Sequence, residues 1–215
     1  MDAKPIILAS QSPRRAALLR DAGIAFETAV PKYDEPAIAC WQGHPADLAE
    51  ALSYFKAASL GGDYPERLIL GADTVVAYRG NIYGKPRDAD DARRILSELM
   101  GTIQDVITGV TLFHPATRRR LMRHAVTKVT MRRMTAPELD EYIAGGDWAG
   151  KAGAYGIQDS GDRFITQTEG SFSNVVGLPI ELVREMLDEF SGRPTALLGL
   201  PNQSPSRVQG SASRE

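Results

Sequence analysis

A chain of 215 residues is long enough for one sizeable core, and 43% hydrophobic against 24% charged residues is the balance of an ordinary soluble globular protein. Its net charge of -2 sets up no global field for nucleic acid or an anionic membrane, so any anion site must be a local cluster. The single cysteine, Cys40, excludes an intrachain disulfide and fits a reducing compartment.

"PIILAS" reads as a short buried strand. Ser12 and Pro13 then read as the N-cap and first position of a helix that stops at Gly23. "AFETAV" alternates like a second strand. "HPADLAEALSYFKAASLGG" places Leu48, Leu52 and Phe55 at helical spacing before a glycine pair. "RLILGADTVVAYRGNIYGKP" reads as a strand, an acidic break at Asp73 where a loop opens, and a hairpin turning at Arg79-Gly80-Asn81.

"ADDARRILSELMG" puts Ala92, Ile95, Leu96 and Leu99 on one helical face. "DVITGVTLF" and "HAVTKVTM" read as antiparallel strands flanking a basic turn, with Arg118, Arg119 and Arg120 solvated at its tip. Thr135 and Glu138 stand at capping-box spacing. Residues 145–156 read as a glycine-rich functional loop, too irregular for a tight turn. "PIELVREMLDEF" closes the fold with Val183, Met186, Leu187 and Phe190 on one face. The pattern predicts one domain over residues 1–190, then a Ser-, Pro- and Gly-rich disordered tail over 191–215. Hairpins and crossovers together predict an α/β fold with a mixed sheet. No apolar run reaches the roughly 20 residues of a membrane span. "MDAKPIILASQSPRR" also lacks the order of a secretory signal, so the expected location is cytoplasmic.

Several short stretches carry side chains suited to phosphate chemistry. In "SQSPRR", Ser10, Ser12, Arg14 and Arg15 surround a helix N-terminus, whose backbone N–H groups and dipole favour an anion. A capped surface helix with solvated arginines is the ordinary reading of the same residues. Asp73 can bind Mg²⁺ or orient a water, or simply form a turn, and Thr74 is a strand residue or a hydroxyl facing ligand. Lys56, one turn past Leu52, is spaced to reach the edge of the core, and Lys85 follows a strand in "GKP"; solvation is the ordinary reading of both lysines. Asp34 and Glu35 are loop acids, solubilising or metal-binding. In "GKAGAYGIQ", small residues let backbone approach a ligand beside Lys151, and Gln158 can pair with the edge of a base; a flexible loop is the ordinary reading of the same stretch. His44, His114 and His124 lack metal-ligand spacing.

"ASQSPRR", "FKAASL", "GADTVV", "GKP", "TGV", "GKAGAYGIQ" and "GSFSNVVGLP" occur in one order, and together they resemble the Maf family of nucleoside triphosphate pyrophosphatases over about residues 5–190. The resemblance implies an elongated mixed sheet flanked by helices, similar to inosine triphosphate pyrophosphatases. It implies hydrolysis of a nucleoside triphosphate to the monophosphate and pyrophosphate with a divalent metal, Mg²⁺ or Mn²⁺. Asp73 would then be the base or water-orienting group, Glu35 a second metal ligand, and Arg15, Lys56 and Lys85 phosphate contacts. Arg15, Thr74 and Gln158 resemble the branch acting on dTTP and UTP. Two positions depart from the family pattern: Gln104 stands near a histidine's place and Gly150 replaces an acid. The alternatives are a nucleotide-binding regulator of cell division without catalysis and a 7-methyl-GTP-preferring pyrophosphatase. The expected partner is the nucleotide, with no nucleic acid and no membrane, in a homodimer.

Overall fold

The computed structural model describes residues 4–33, 41–158 and 161–192. Strand β1 (Ile6–Ala9) runs into helix α1 (Pro13–Asp21), followed by β2 (Phe26–Ala29), α2 (Pro45–Ala58), β3 (Ile69–Tyr78) and β4 (Asn81–Tyr83). Then come α3 (Ala89–Leu99), β5 (Ile103–His114), β6 (Arg119–Met131), α4 (Ala136–Gly145), β7 (Ile165–Glu169), α5 (Phe172–Val176) and α6 (Ile180–Ser191). The seven strands form one sheet in the order β2-β1-β3-β5-β6-β7, with β4 paired to β3. β1 runs parallel to β2 and β3, and all other pairs are antiparallel. The mixed sheet flanked by helices is the predicted class. The patterning did not single out β7 or α5 as elements; both are short, and β7 has no buried position to mark it.

The acidic break expected at Asp73 does not occur. β3 is a continuous ten-residue strand through Asp73 and Thr74. It pairs with β5 from Ile69 to Ala77, so the carboxylate sits on a fully formed ladder. The hairpin does turn at Arg79 and Gly80, both with positive φ, as a tight connection with right-handed strand twist requires.

Helix α2 packs across one face of the sheet, with Leu60 and Tyr64 just after it adding to the cover over β1 and the start of β3. Leu48 and Leu52 face inward as predicted, but Phe55 is 47% exposed and stacks on Tyr33. The next inward position on that stripe, four residues past Leu52, is Lys56. α2 lies so close to the sheet that a Cβ on Gly71 would stand 2.1 Å from the Ser53 carbonyl oxygen, and one on Gly109 2.2 Å from the Ala49 backbone.

The opposite face carries two separate apolar clusters. α1 and α6 pack over Leu70, Ala72, Val110 and Leu112. α3 and α4 pack over Val76, Val106 and Val129. α3 buries Ala92, Ile95, Leu96 and Leu99 as expected, and α6 turns Val183 and Met186 fully inward, with Leu187 and Phe190 half-buried beside them. α6 runs through Ser191 and ends at Gly192 in the left-handed conformation. The predicted tail beyond it lies outside the described residues.

The basic turn is not simply solvated. The Arg119 guanidinium donates to the carbonyls of Glu189 and Phe190 at the end of α6, where a cation meets the negative end of the dipole. Arg120 lies over the Tyr54 ring.

The Thr135–Glu138 capping box forms. Hydrogen bonds from the Arg132 guanidinium and the Thr135 N–H draw the Glu138 carboxyl down from 4.5 to about 2. A depressed folded-state pKa contributes stability above the unfolded value and loses it as pH falls through the folded one. Glu138→Gln should therefore flatten the loss of stability between about pH 4.5 and about 2, read by urea denaturation at a series of pH values. An acid limb identical to that of the parent would show that this exposed pair is fully screened.

Candidate active site

The site follows from a gap in the sheet. On the edge of β3 away from β5, β1 pairs only as far as Gly71 and β4 begins at Val76. Among the described residues, nothing pairs with residues 72–75 on that edge. A crevice opens where β1 stops and the chain turns away into α1, as ligand crevices do at the ends of parallel strands. The cleft there measures about 460 Å³, within the range of small-molecule sites.

Successive residues of a strand point to opposite faces, so β3 sends Asp73 and Thr74 to different sides of the gap. Asp73 points toward α2. Its Oδ1 accepts from the Lys56 Nζ, and both side chains are only 8% exposed. A lysine ends up in the core because its inward position on α2 meets a carboxylate instead of an apolar residue. An ion pair at this depth is retained only with close geometry and further partners. Both groups line the cleft, together with Lys85 from the segment after β4 and Lys151 from the glycine-rich loop.

Thr74 points the other way, into the space between the two apolar clusters. Its hydroxyl accepts from the Arg15 guanidinium at 3.2 Å. Arg15 also donates to the Gly177 carbonyl at 2.8 Å and to the Ser10 hydroxyl at 3.4 Å. Its guanidinium therefore spans β1, β3 and the end of α5.

The N-terminus of α1 forms the wall between the two sides. Ser12 caps it, accepting from the Arg15 N–H, while Ser10 accepts from the Ser12 N–H. Pro13 has no N–H to offer. Both serines retain O–H donors, and Ser10, Ser12, Arg14 and Arg15 all line the cleft.

Residues 145–156 close the far wall. The Gly153 N–H donates to the Gly84 carbonyl at 3.0 Å, which docks the loop on the segment holding Lys85. Lys151 is buried and Gln158 exposed at the mouth. Gly150 has φ +69, a conformation in which a side chain is strained, and its carbonyl accepts from Arg14 at 3.4 Å across the cleft. Gln104, in the place of the histidine, is buried and donates to the Tyr155 phenol at 3.2 Å. Burial pushes that phenol far above its usual value, so it stays protonated. Gln104 therefore supports a cleft wall instead of reaching the cleft.

The structure thus gathers Ser10, Ser12, Arg14, Arg15, Lys56, Asp73, Thr74, Lys85, Lys151 and Gln158 around one cavity. Glu35 lies outside the described residues, as do Asp34 and Cys40. Sequence reasoning missed Tyr155 and Gly177, which also line the cleft. The signal for Gly177 was present in "GSFSNVVGLP": its φ is +121, and a Cβ there would stand 3.5 Å from Arg15 and 3.6 Å from Thr74. His44 serves as the N-cap of α2 through Nδ1.

Fold and site define an α/β protein with a nucleotide-sized cleft at an open sheet edge, where one carboxylate is surrounded by cations. The chain belongs to the Maf family: the model of that family, described as Maf-like protein, matches residues 5–190. The dTTP/UTP pyrophosphatase of Pelotomaculum thermopropionicum is 38% identical over 187 residues, which cover 87% of this chain and 97% of that protein. The dTTP/UTP pyrophosphatase of Bacillus cytotoxicus is 41% identical over 190 residues, covering 88% and 97%. A solved structure of a HAM1 protein from Coxiella burnetii aligns at 14% identity and TM-score 0.45, over 86% of this chain and 98% of that one.

Proposed function

We propose that the chain hydrolyses nucleoside triphosphates to the monophosphate and pyrophosphate. dTTP, UTP and modified pyrimidine nucleotides are the substrates, as housekeeping of the cytoplasmic nucleotide pool. The observation that carries this reading is the buried Lys56–Asp73 pair opening on to a cation-lined cleft. The names of relatives that align over most of the chain supply the substrate class.

A triphosphate repels an attacking water through its negative charge. Lys56, Lys85, Lys151, Arg14 and the α1 N-terminus counter that charge within one cavity. Lys56 holds the Asp73 carboxylate toward the opening. Asp73 orients a water and takes its proton as the water oxygen attacks the α-phosphorus in line. The bond from that phosphorus to the α–β bridging oxygen breaks, and pyrophosphate leaves with the electron pair.

Among the described residues, no group of three or more His, Cys, Asp or Glu side chains is arranged to hold a metal ion. The donor set nevertheless suits Mg²⁺ or Mn²⁺, because such ions keep several waters and take one or two carboxylates plus substrate phosphates. Asp73 would hold the ion, with Glu35 as the proposed second carboxylate. When bound, it would neutralise phosphate charge. No helix among the described residues is long and apolar enough to cross a membrane. A homodimer is the proposed assembly, to be read by light scattering.

The test is a release assay for pyrophosphate and phosphate with dTTP, UTP, CTP and 7-methyl-GTP, with Mg²⁺, with Mn²⁺ and with chelator. Pyrophosphate from dTTP and UTP, abolished by chelator, is expected. Phosphate as the first product would overturn the bond assignment. Binding without release would move the reading to a nucleotide-binding regulator, and preference for 7-methyl-GTP would overturn the pyrimidine assignment.

A further inference from the structure

The two apolar clusters on the α1/α6 face are separated by a narrow polar layer. Along β5, Val106, Thr108, Val110 and Leu112 point to this face, and Thr108 is the hydroxyl between the two clusters. Thr108 is fully buried and lies directly opposite Thr74 in the β3–β5 ladder. The two hydroxyls are 2.9 Å apart. Thr108 also contacts the Asn174 backbone carbonyl at 3.2 Å. The Asn174 side chain in turn fixes the loop, donating to the Val106 carbonyl and the Thr127 hydroxyl at 3.0 Å each.

The direction of this chain can be deduced. A carbonyl only accepts, so the Thr108 hydrogen goes to Asn174. The Thr74 hydrogen then goes to Thr108, and the Thr74 oxygen accepts from Arg15. This arrangement gives every donor an acceptor. The reverse would turn the Thr74 hydrogen away from the wall, with no acceptor for it among the described residues. With its hydrogen committed inward, Thr74 shows the cleft an acceptor only. Gly177 adjoins Thr74, and Val175, Val176 and Ile157 add apolar surface to the lining of the same cleft, whereas Asp73 and its partner Lys56 lie on the other face of β3.

We propose that Thr108 is a positioning residue that sets the hydrogen-bond polarity of Thr74, making the cleft select pyrimidine rings with a hydrogen on ring nitrogen 3 over rings with that nitrogen bare. Thymine and uracil carry that hydrogen; cytosine does not. The inference rests on the pyrimidine reading above and adds the group that enforces it. Thr108 touches no substrate and acts through Thr74.

The experiment compares the parent, Thr108→Val and Thr108→Ser in pyrophosphate release from UTP and CTP, and in calorimetric binding of UMP and CMP. Valine matches threonine in shape and removes the acceptor for the Thr74 hydrogen, which then turns to the cleft. The UTP-to-CTP ratio of kcat/KM should fall about tenfold in Thr108→Val, the weight of one hydrogen bond, and the UMP-to-CMP affinity ratio should fall with it. Thr108→Ser should keep both ratios. A merely structural role would lower both substrates together, and unchanged ratios in Thr108→Val would overturn the proposal. If no variant releases pyrophosphate but the UMP-to-CMP ratio still shifts, the polarity inference stands and the hydrolase reading falls. If Thr108→Val does not fold, Thr108→Ala, judged against Thr108→Ser by the same binding ratios, decides it.

Discussion

Asp73→Asn should leave nucleotide binding close to that of the parent while turnover falls by at least about 10²-fold, the usual cost of losing a general base. The substitution keeps an oxygen for Lys56 to donate to, so the geometry at the sheet gap persists. It removes the charge that can take a proton from water. The fall should appear in kcat far more than in KM, because the lost interaction belongs to the transition state. Removing one charge of a buried pair also destabilises, so a melting curve belongs beside the kinetics. Turnover near that of the parent in a folded Asp73→Asn protein would remove Asp73 from the mechanism.

Gly109→Ala should be among the most destabilising single changes in the chain, by about 3 kcal/mol or more. The new Cβ would stand 2.2 Å from the carbonyl carbon and oxygen of Ala49 and 2.4 Å from the Glu50 nitrogen. These are backbone atoms of α2, which cannot rotate away as a side chain would. The helix must lift from the sheet or the strand must bend. Because α2 carries Lys56, the same displacement should separate Lys56 from Asp73, and residual folded protein should lose activity. Urea denaturation reads the first effect and pyrophosphate release the second. A stability within 1 kcal/mol of the parent, a small surface-like change, would mean that α2 sits less rigidly than the contact implies.

Much of this site is legible in the sequence because its parts are local. Ser12 before Pro13 marks a helix start whatever surrounds it, since the cap satisfies the N–H of its own first turn. The Thr135–Glu138 box is equally local. The helix spacing of α2 carried Lys56 toward the core edge, four residues past Leu52. The pattern at Asp73 reads as a break because an acid among apolar residues usually ends a strand. The strand continues because Lys56, from a helix distant in sequence, meets the carboxylate. Spacing alone places Phe55 inward, yet Phe55 stays 47% exposed and the buried position on that stripe is Lys56, which meets Asp73.

The sequence by itself determined the helix caps, the apolar faces of α3 and α6, the strand pairing around the basic turn, and the set of residues able to handle phosphate. Each depends on neighbours within a turn or along one strand, so composition and period reveal it. Only the tertiary structure decided that β1 stops at Gly71 and β4 begins at Val76, leaving the crevice between them. It alone put Asp73 and Thr74 on opposite sides of that gap and ran the Arg15–Thr74–Thr108–Asn174 chain between two apolar clusters. Those features join β3 to residues up to 100 positions further along. Register and layer packing, which no local pattern encodes, bring them together.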